Sequence, residues 1–389
     1  MSTVNKSKHL PNFMQANPNR LLSLDVFRGA TVAAMILVNN PGSWSDIYSP
    51  LRHAEWNGCT PTDLIFPFFL FIVGVSIAYA YGTKKLDKTK HGSLLMKAGK
   101  RALILFGLGL MLSLFPQVFV DPLGAFEVVR IPGVLQRIAV VFFISTLFFL
   151  RLSPKNILWT GIALLIIYWV IMTFIPVPGV GPANLGKETN MGAWLDRTLL
   201  TEAHLWKSAK TWDPEGILST VPAISTCLFG ILVGVYLKRK DIDQPTKVAW
   251  LCFYGFLTFV IGMAWGLQFP LNKSLWTSSF VLYTGGLATL VLALTYWVID
   301  YKKHTRFTKP FLIFGVNAIT VFFFSGIMAR CLSLITVGGG LSLKGWIYNT
   351  FMTPYFSPNN ASLVYAFFFI LIWAVIALIM FNRKIFIKV

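Results

Sequence analysis

Residues 62–77 read TDLIFPFFLFIVGVSI. One charge, Asp63, opens a run of apolar side chains that continues through AYAY and stops at Gly82, where Lys84, Lys85, Lys88 and Lys90 follow. A bilayer core of about 30 Å needs roughly 20 apolar residues in a helix, so this stretch reads as a membrane span closed by a basic loop. Working outward from it, ten such spans begin near Leu21, Asp63, Ala98, Ile131, Asn156, Ser219, Lys247, Leu275, Pro310 and Ala361. The third, Ala98 to Phe115, is short and interrupted by glycine. The ninth, Pro310 to Val337, is long enough to tilt or break.

The composition agrees, with 55% hydrophobic and only 13% charged residues in 389, whereas a soluble domain carries about a quarter charged. The expected fold is therefore an all-α, polytopic integral membrane bundle of about ten transmembrane helices. Residues 1–20 form a polar tail without the apolar core of a signal peptide. Residues 21–389 form the membrane domain, with a long outer loop at 176–218. Four cysteines lie far apart, and no Cys/His spacing suggests a metal, so none is expected.

A net charge of +19 would suggest nucleic acid in a soluble chain. Here it follows the membrane topology, and no nucleic-acid partner is expected. With the N-terminus cytoplasmic, the alternating loops place 23 Lys and Arg on that side, 8 on the other and 3 within spans. Both termini are then cytoplasmic, and the excess positive charge sits on that face.

Ionisable groups within spans cost roughly 2.5–3.5 kcal/mol each on insertion scales, so they normally face a partner or a cavity. Asp25 and Arg28, one turn apart, suit an ion pair. Arg137, in RIPGVLQRIAV, has no acid on its own helix and calls for an acid from elsewhere or an anionic ligand. Arg330 can snorkel to the interface. The stretch after the first span, VNNPGSWSDIYSPLRHAEWNGCTPTDLIFP, gathers Asn39, Asn40, His53, Glu55, Trp56, Asn57 and Asp63. Of five histidines only His53 stands beside intramembrane polar groups, where it reads either as a proton-transfer group or as a hydrogen-bonding loop residue. Asp213 and Glu215, in TWDPEGILSTVPAI, complement the start of a helix and also suit a cationic or polyhydroxylated substrate. Several outer-loop tryptophans suit an interfacial belt, with one or two free to stack on a sugar. There is no Walker A loop and no dinucleotide fingerprint followed by a ribose acid. Taken alone, a many-span bundle with buried charges reads first as a transporter.

LDVFRG at Leu24–Gly29, VNN, HAEWNG, the Thr62–Ile77 run, RIPGVLQRIAV, WDPEG and LNKSLWTSSFVL at Leu271–Leu282 together resemble the heparan-alpha-glucosaminide N-acetyltransferase family. The similarity runs from about Leu21 to the C-terminus and is greatest to the shorter members, which lack an extra N-terminal luminal domain. It implies a transmembrane acyltransferase of the cell membrane. Such an enzyme moves an acetyl group from cytosolic acetyl-CoA to an amino or hydroxyl group of a sugar or glycan on the other side. It implies His53 as the catalytic base and Asn39, with Asn40 as second candidate, as the oxyanion donor. Asn57, Asp63, Asp213 and Glu215 become acceptor-binding candidates. Arg20, Arg28, Lys100 and Arg101 are placed for the CoA phosphates, with Arg137 deeper in the cavity. Besides the bilayer and these substrates, a homodimer is compatible with such a chain. A solute or lipid-linked-sugar transporter is the alternative reading.

Overall fold

The computed structural model describes residues 21–337 and 339–387. The tail at 1–20, with the donor candidate Arg20, lies outside the described residues. The main helices are α1 (Leu22–Asn39), α2 (Ile65–Tyr81), α3 (His91–Leu114), α4 (Val134–Arg151), α5 (Pro154–Phe174), α6 (Met191–Leu200), α7 (Ile217–Leu237), α8 (Gln244–Gly266), α9 (Ser278–Thr295), α10 (Lys309–Val316), α11 (Ala318–Leu334) and α12 (Pro358–Asn382). Among the described residues the regular structure is helical, with only isolated bridges in the β conformation.

Among the described residues eight helices are long and apolar enough to cross a membrane, or nine if α10 and α11 form one bent span. The third expected span is α3, a 24-residue helix that carries Lys97, Lys100 and Arg101 in its first half and so differs in composition from the others. The ninth expected span does break, by 82° at Asn317. Asn317 is buried there, donating to the Ile385 carbonyl at 2.9 Å and accepting from the Ile387 amide at 3.0 Å. Its amide side chain thus pairs with backbone groups of the segment that follows α12.

The centre of the bundle is the α2/α7 pair, which approaches closely because small residues face each other. A methyl group on Gly74 would stand 2.0 Å from the Cys227 carbonyl oxygen, and one on Gly230 would stand 2.1 Å from that of Phe71. Around this pair pack α1, α4, α5 and α9, and α8 lies outermost against α9. The first helix has no side-chain cap of its own. Asp300, beyond the end of α9, supplies one by accepting from the Leu22 and Ser23 amides at 3.2 and 3.0 Å.

Gly74→Ala is therefore expected to lower the melting temperature in detergent, although alanine gains roughly 1 kcal/mol of helix propensity over glycine. Overpacking against a carbonyl costs about 1–3 kcal/mol or more and outweighs that gain. Gly107, in α3, has open space around it, so Gly107→Ala should leave the melt unchanged or raise it. Equal behaviour of the two variants would count against this packing.

Candidate active site

Three segments converge on His53: the loop after α1, the turn that starts α2, and the loop between α8 and α9. The second is a 3-10 turn, Pro61–Leu64, in which Thr60 and Asp63 cap each other's backbone amides. That cap fixes Asp63, whose side chain is only 1% exposed. Its Oδ2 accepts from the amides of Ala54 and Thr60, each at 3.0 Å, and its Oδ1 stands 2.6 Å from His53 Nδ1. With Oδ2 taken by backbone donors, Oδ1 is left to receive the Nδ1–H of His53. The lone pair then sits on Nε2, and 44% of the imidazole is exposed.

The third segment brings a residue that the sequence reading counted only as an outer-loop charge. Lys273 Nζ stands 3.1 Å from His53 Nδ1, 3.3 Å from Nε2 and 3.8 Å from Asp63 Oδ1. Burial pulls its ammonium below the usual lysine value, against the opposing carboxylates of Asp63 and Glu215. Lys273 is held by a tight loop. Asn272 accepts from the Leu275 amide at 2.8 Å and donates to Asn57 at 3.2 Å, while the Leu271 carbonyl accepts from Gly58 at 2.7 Å. Asn57 therefore ties the two loops together. Cys59, next along, is no rival nucleophile, because burial, reinforced by Asp63, pushes its thiol up to about 12.

A second charged group lies at the same end of the bundle. Arg130 donates from Nε to Asp213 at 2.8 Å, and from Nη2 to Asp213 at 2.6 Å and to Glu215 at 2.5 Å. Burial alone would raise Glu215, but the guanidiniums of Arg130 and Arg137 and the Lys273 ammonium offset it and hold the carboxylate low. Nearby Asp196 is pushed up to about 7, mainly by burial, while it accepts from the Ile217 amide at 2.8 Å. The tryptophans form a chain of edge contacts, Trp56 to Trp212 at 5.1 Å and Trp212 to Trp206 at 5.7 Å. Trp44 stays largely exposed.

Two cavities enter the bundle from opposite ends. The outer one, about 530 Å³ and on the side of the loop that follows α1, is lined by Asn39, Asn40, Trp44, Arg130, Gln136 and Arg330, among others, while His53 stands outside its lining. Asn39 closes α1 and is exposed to it, whereas Asn40 donates to the Ile36 carbonyl at 2.7 Å. Neither asparagine hydrogen-bonds His53 among the described residues. The other cavity, about 350 Å³, is lined by Arg28, Ser76, Tyr81, Arg101 and the residues flanking the Asn317 break. Arg28 pairs with Asp25 at 3.0 Å as expected and donates to Ser76 at 2.7 Å. The two cavities stack along the same helices. Leu105 and Ile138 face one, while Gly109 and Leu135, a turn away on α3 and α4, face the other.

Lys100 is exposed and does not line that second cavity, and neither does Arg137. Arg137 was expected about two turns into its span and deep on a donor path. Since α4 starts only at Val134, Arg137 sits in the first turn, at the Asp213 end. It donates to the Gly216 carbonyl at 3.1 Å and to the Ser219 hydroxyl, with its guanidinium 5.2 Å from the Trp276 ring centre.

Comparison with known proteins bears directly on this arrangement. A family model described as heparan-alpha-glucosaminide N-acetyltransferase, catalytic, matches residues 20–263, which include His53, Asp63, Arg130, Asp213 and Glu215. The chain belongs to this family. It is 30% identical over 360 residues to the mouse heparan-alpha-glucosaminide N-acetyltransferase, covering 80% of this chain and 54% of the mouse protein. To the human protein of the same name it is 31% identical over 357 residues, covering 79% of this chain and 53% of the relative. The chain thus spans about half the length of these relatives. Lys273 lies beyond the residues matched by the family model.

Proposed function

We propose that this chain transfers an acetyl group from acetyl-CoA, entering at the Arg28/Arg101 cavity, to the amino or hydroxyl group of a sugar at the His53 end. The observation that carries this is the His53–Asp63 contact at 2.6 Å at one end of a bundle whose two cavities stack along α3 and α4. With both termini cytoplasmic, the Arg28/Arg101 end faces the cytosol, in keeping with the basic loops on that side. The chain works as an integral protein of the cell membrane.

CoA is a polyanion whose phosphates are costly to bring into hydrocarbon, so its nucleotide stays near Arg28 and Arg101 while the pantetheine arm reaches inward. The acceptor's nitrogen or oxygen attacks the thioester carbonyl, and His53 Nε2 takes the proton that it loses. The tetrahedral intermediate collapses with cleavage of the C–S bond, and the CoA thiolate leaves. Asp63 remains ionised throughout and orients the imidazole, a role the buried position favours over direct contact with the acceptor. Asn39, exposed in the outer cavity, and the Lys273 ammonium are the donors available to the developing oxyanion. Asn57 shapes the acceptor site through Asn272. Asp213 and Glu215, neutralised by Arg130, form its polar wall.

The purified protein in nanodiscs, supplied with acetyl-CoA and a panel of amino sugars, is expected to yield acetylated sugar and free CoA by mass spectrometry. His53→Ala should lose about 10²–10⁴-fold of that turnover while keeping its melting temperature. Full activity in His53→Ala, or solute flux into vesicles without consumption of acetyl-CoA, would favour the transporter reading instead.

A further inference from the structure

We infer that the acceptor is anchored in the membrane by an apolar chain and carries a phosphate, and that it reaches the site sideways through a groove between α3, α4 and α7. The inference rests on the acetyl-transfer reading above and names the acceptor's class. The groove has a volume of about 330 Å³, and its walls include Phe106, Val140, Ile144, Ile217, Val221 and Ile224. Val140 and Ile217 are exposed on the flank of the bundle, where helices meet lipid. A water-soluble sugar gains nothing from such walls, whereas each methylene of a lipid chain is stabilised by burial against them.

What distinguishes this groove from ordinary lipid-facing surface is its polar end. Gln136 and Arg137 line it, and both are at least nine-tenths buried. Among the described residues, Arg137 Nε and Nη1 and Gln136 Nε2 have no hydrogen-bond partner. All three are donors, and one face of the guanidinium is already taken by Trp276. Buried donors left unmatched are costly, more so on a charged group, so a ligand supplying several acceptor oxygens is strongly favoured there. Glu215 also lines the groove, but its carboxylate is engaged by Arg130. A phosphate at the head of an apolar chain meets both requirements, with the chain on the flank and oxygens on Arg137 and Gln136.

The groove adjoins the outer cavity. Gly133 and Gln136 line both the groove and the outer cavity, and the Arg130–Glu215 ion pair joins a residue of one to a residue of the other. A Cβ on Gly133 would stand 2.5 Å from Gln136 Oε1, so glycine keeps that partition thin. A sugar linked to the phosphate passes over this low wall into the outer cavity.

The test compares glucosamine with polyprenyl-phosphate-linked glucosamine as acceptors in nanodiscs, and separately measures the polyprenyl phosphate adduct by native mass spectrometry. The lipid-linked acceptor should be preferred at least tenfold in kcat/KM. Val140→Trp and Val221→Trp, which fill the groove from two helices, should each reduce that preference at least tenfold and weaken the adduct. Arg137→Gln should weaken the adduct as well. Soluble glucosamine acetylated as well as the lipid-linked form, or an adduct undiminished in both tryptophan variants, overturns the inference and leaves the acetyltransferase reading standing. An intact adduct with no acetyl transfer to either sugar overturns that reading and, with it, the acceptor role given to the groove.

Discussion

Asp63→Asn is expected to reduce acetyl transfer by about 10³–10⁴-fold, the order seen when the acid that orients a catalytic histidine is replaced by its amide. The structure explains why a change of one atom has that reach. Oδ2 of Asp63 accepts from two backbone amides, Ala54 and Thr60. An asparagine must keep its carbonyl oxygen there, because its NH₂ would meet two donors. The NH₂ group is then forced to the Oδ1 position, 2.6 Å from His53 Nδ1 in the parent protein. It donates to Nδ1, the imidazole proton moves to Nε2, and the nitrogen facing the acceptor can no longer take a proton. The loop itself survives, since its backbone bonds are preserved. The expected pattern is thus a loss in kcat with little change in KM for acetyl-CoA or in melting temperature. The double variant with His53→Ala should be no slower than His53→Ala alone, because both remove the same function. Asp63→Asn retaining activity within tenfold of the parent would exclude the histidine–aspartate pair as the base.

The helical architecture was legible because hydropathy is a local property that survives folding. It weighed α3 least well, because Lys97, Lys100 and Arg101 break an apolar run that packing against α4 makes into one long helix. Among the site residues, His53 and Asp63 were legible because they are near each other in sequence and stand between two apolar helices. Their mutual contact was not, since nothing local says that Asp63 turns back on the histidine and not toward a substrate. Arg130 and Lys273 were missed for a related reason. Each reads as an ordinary outer-loop charge, and only the fold brings Arg130 to Asp213 and Glu215, and Lys273 to His53. One signal was present. Lys273 sits in LNKSLWTSSFVL, where the adjoining Asn272, Leu275 and Trp276 are all buried, so the lysine between them had little chance of a purely solvated role. Arg137 was recognised as a charge in need of a partner, but its depth depended on where α4 begins.

Lys273→Met is expected to lower kcat by about 10²–10³-fold, the usual loss when one preorganised donor to a developing oxyanion is removed. Methionine keeps the length and bulk of the stem, so the Asn272 turn that holds it is retained. Within the parent site the ammonium lies close to both imidazole nitrogens and 3.8 Å from Asp63, inside a region where burial makes each charge count for more than it would in water. The pH dependence separates a catalytic ammonium from a merely structural one. Burial lowers the Lys273 pKa from the ordinary lysine value of about 10.4. The group is charged at pH below its own depressed pKa, so the parent kcat should hold at neutral pH and decline on an alkaline limb that falls below 10.4. Lys273→Arg keeps the charge at every accessible pH, and its alkaline limb should vanish even though its planar guanidinium fits the site less well and the plateau is lower. Lys273→Met should show the reduced rate with no limb from this group at all. Should the alkaline limb persist unchanged in both variants, the lysine positions the loop and takes no part in stabilising the transition state.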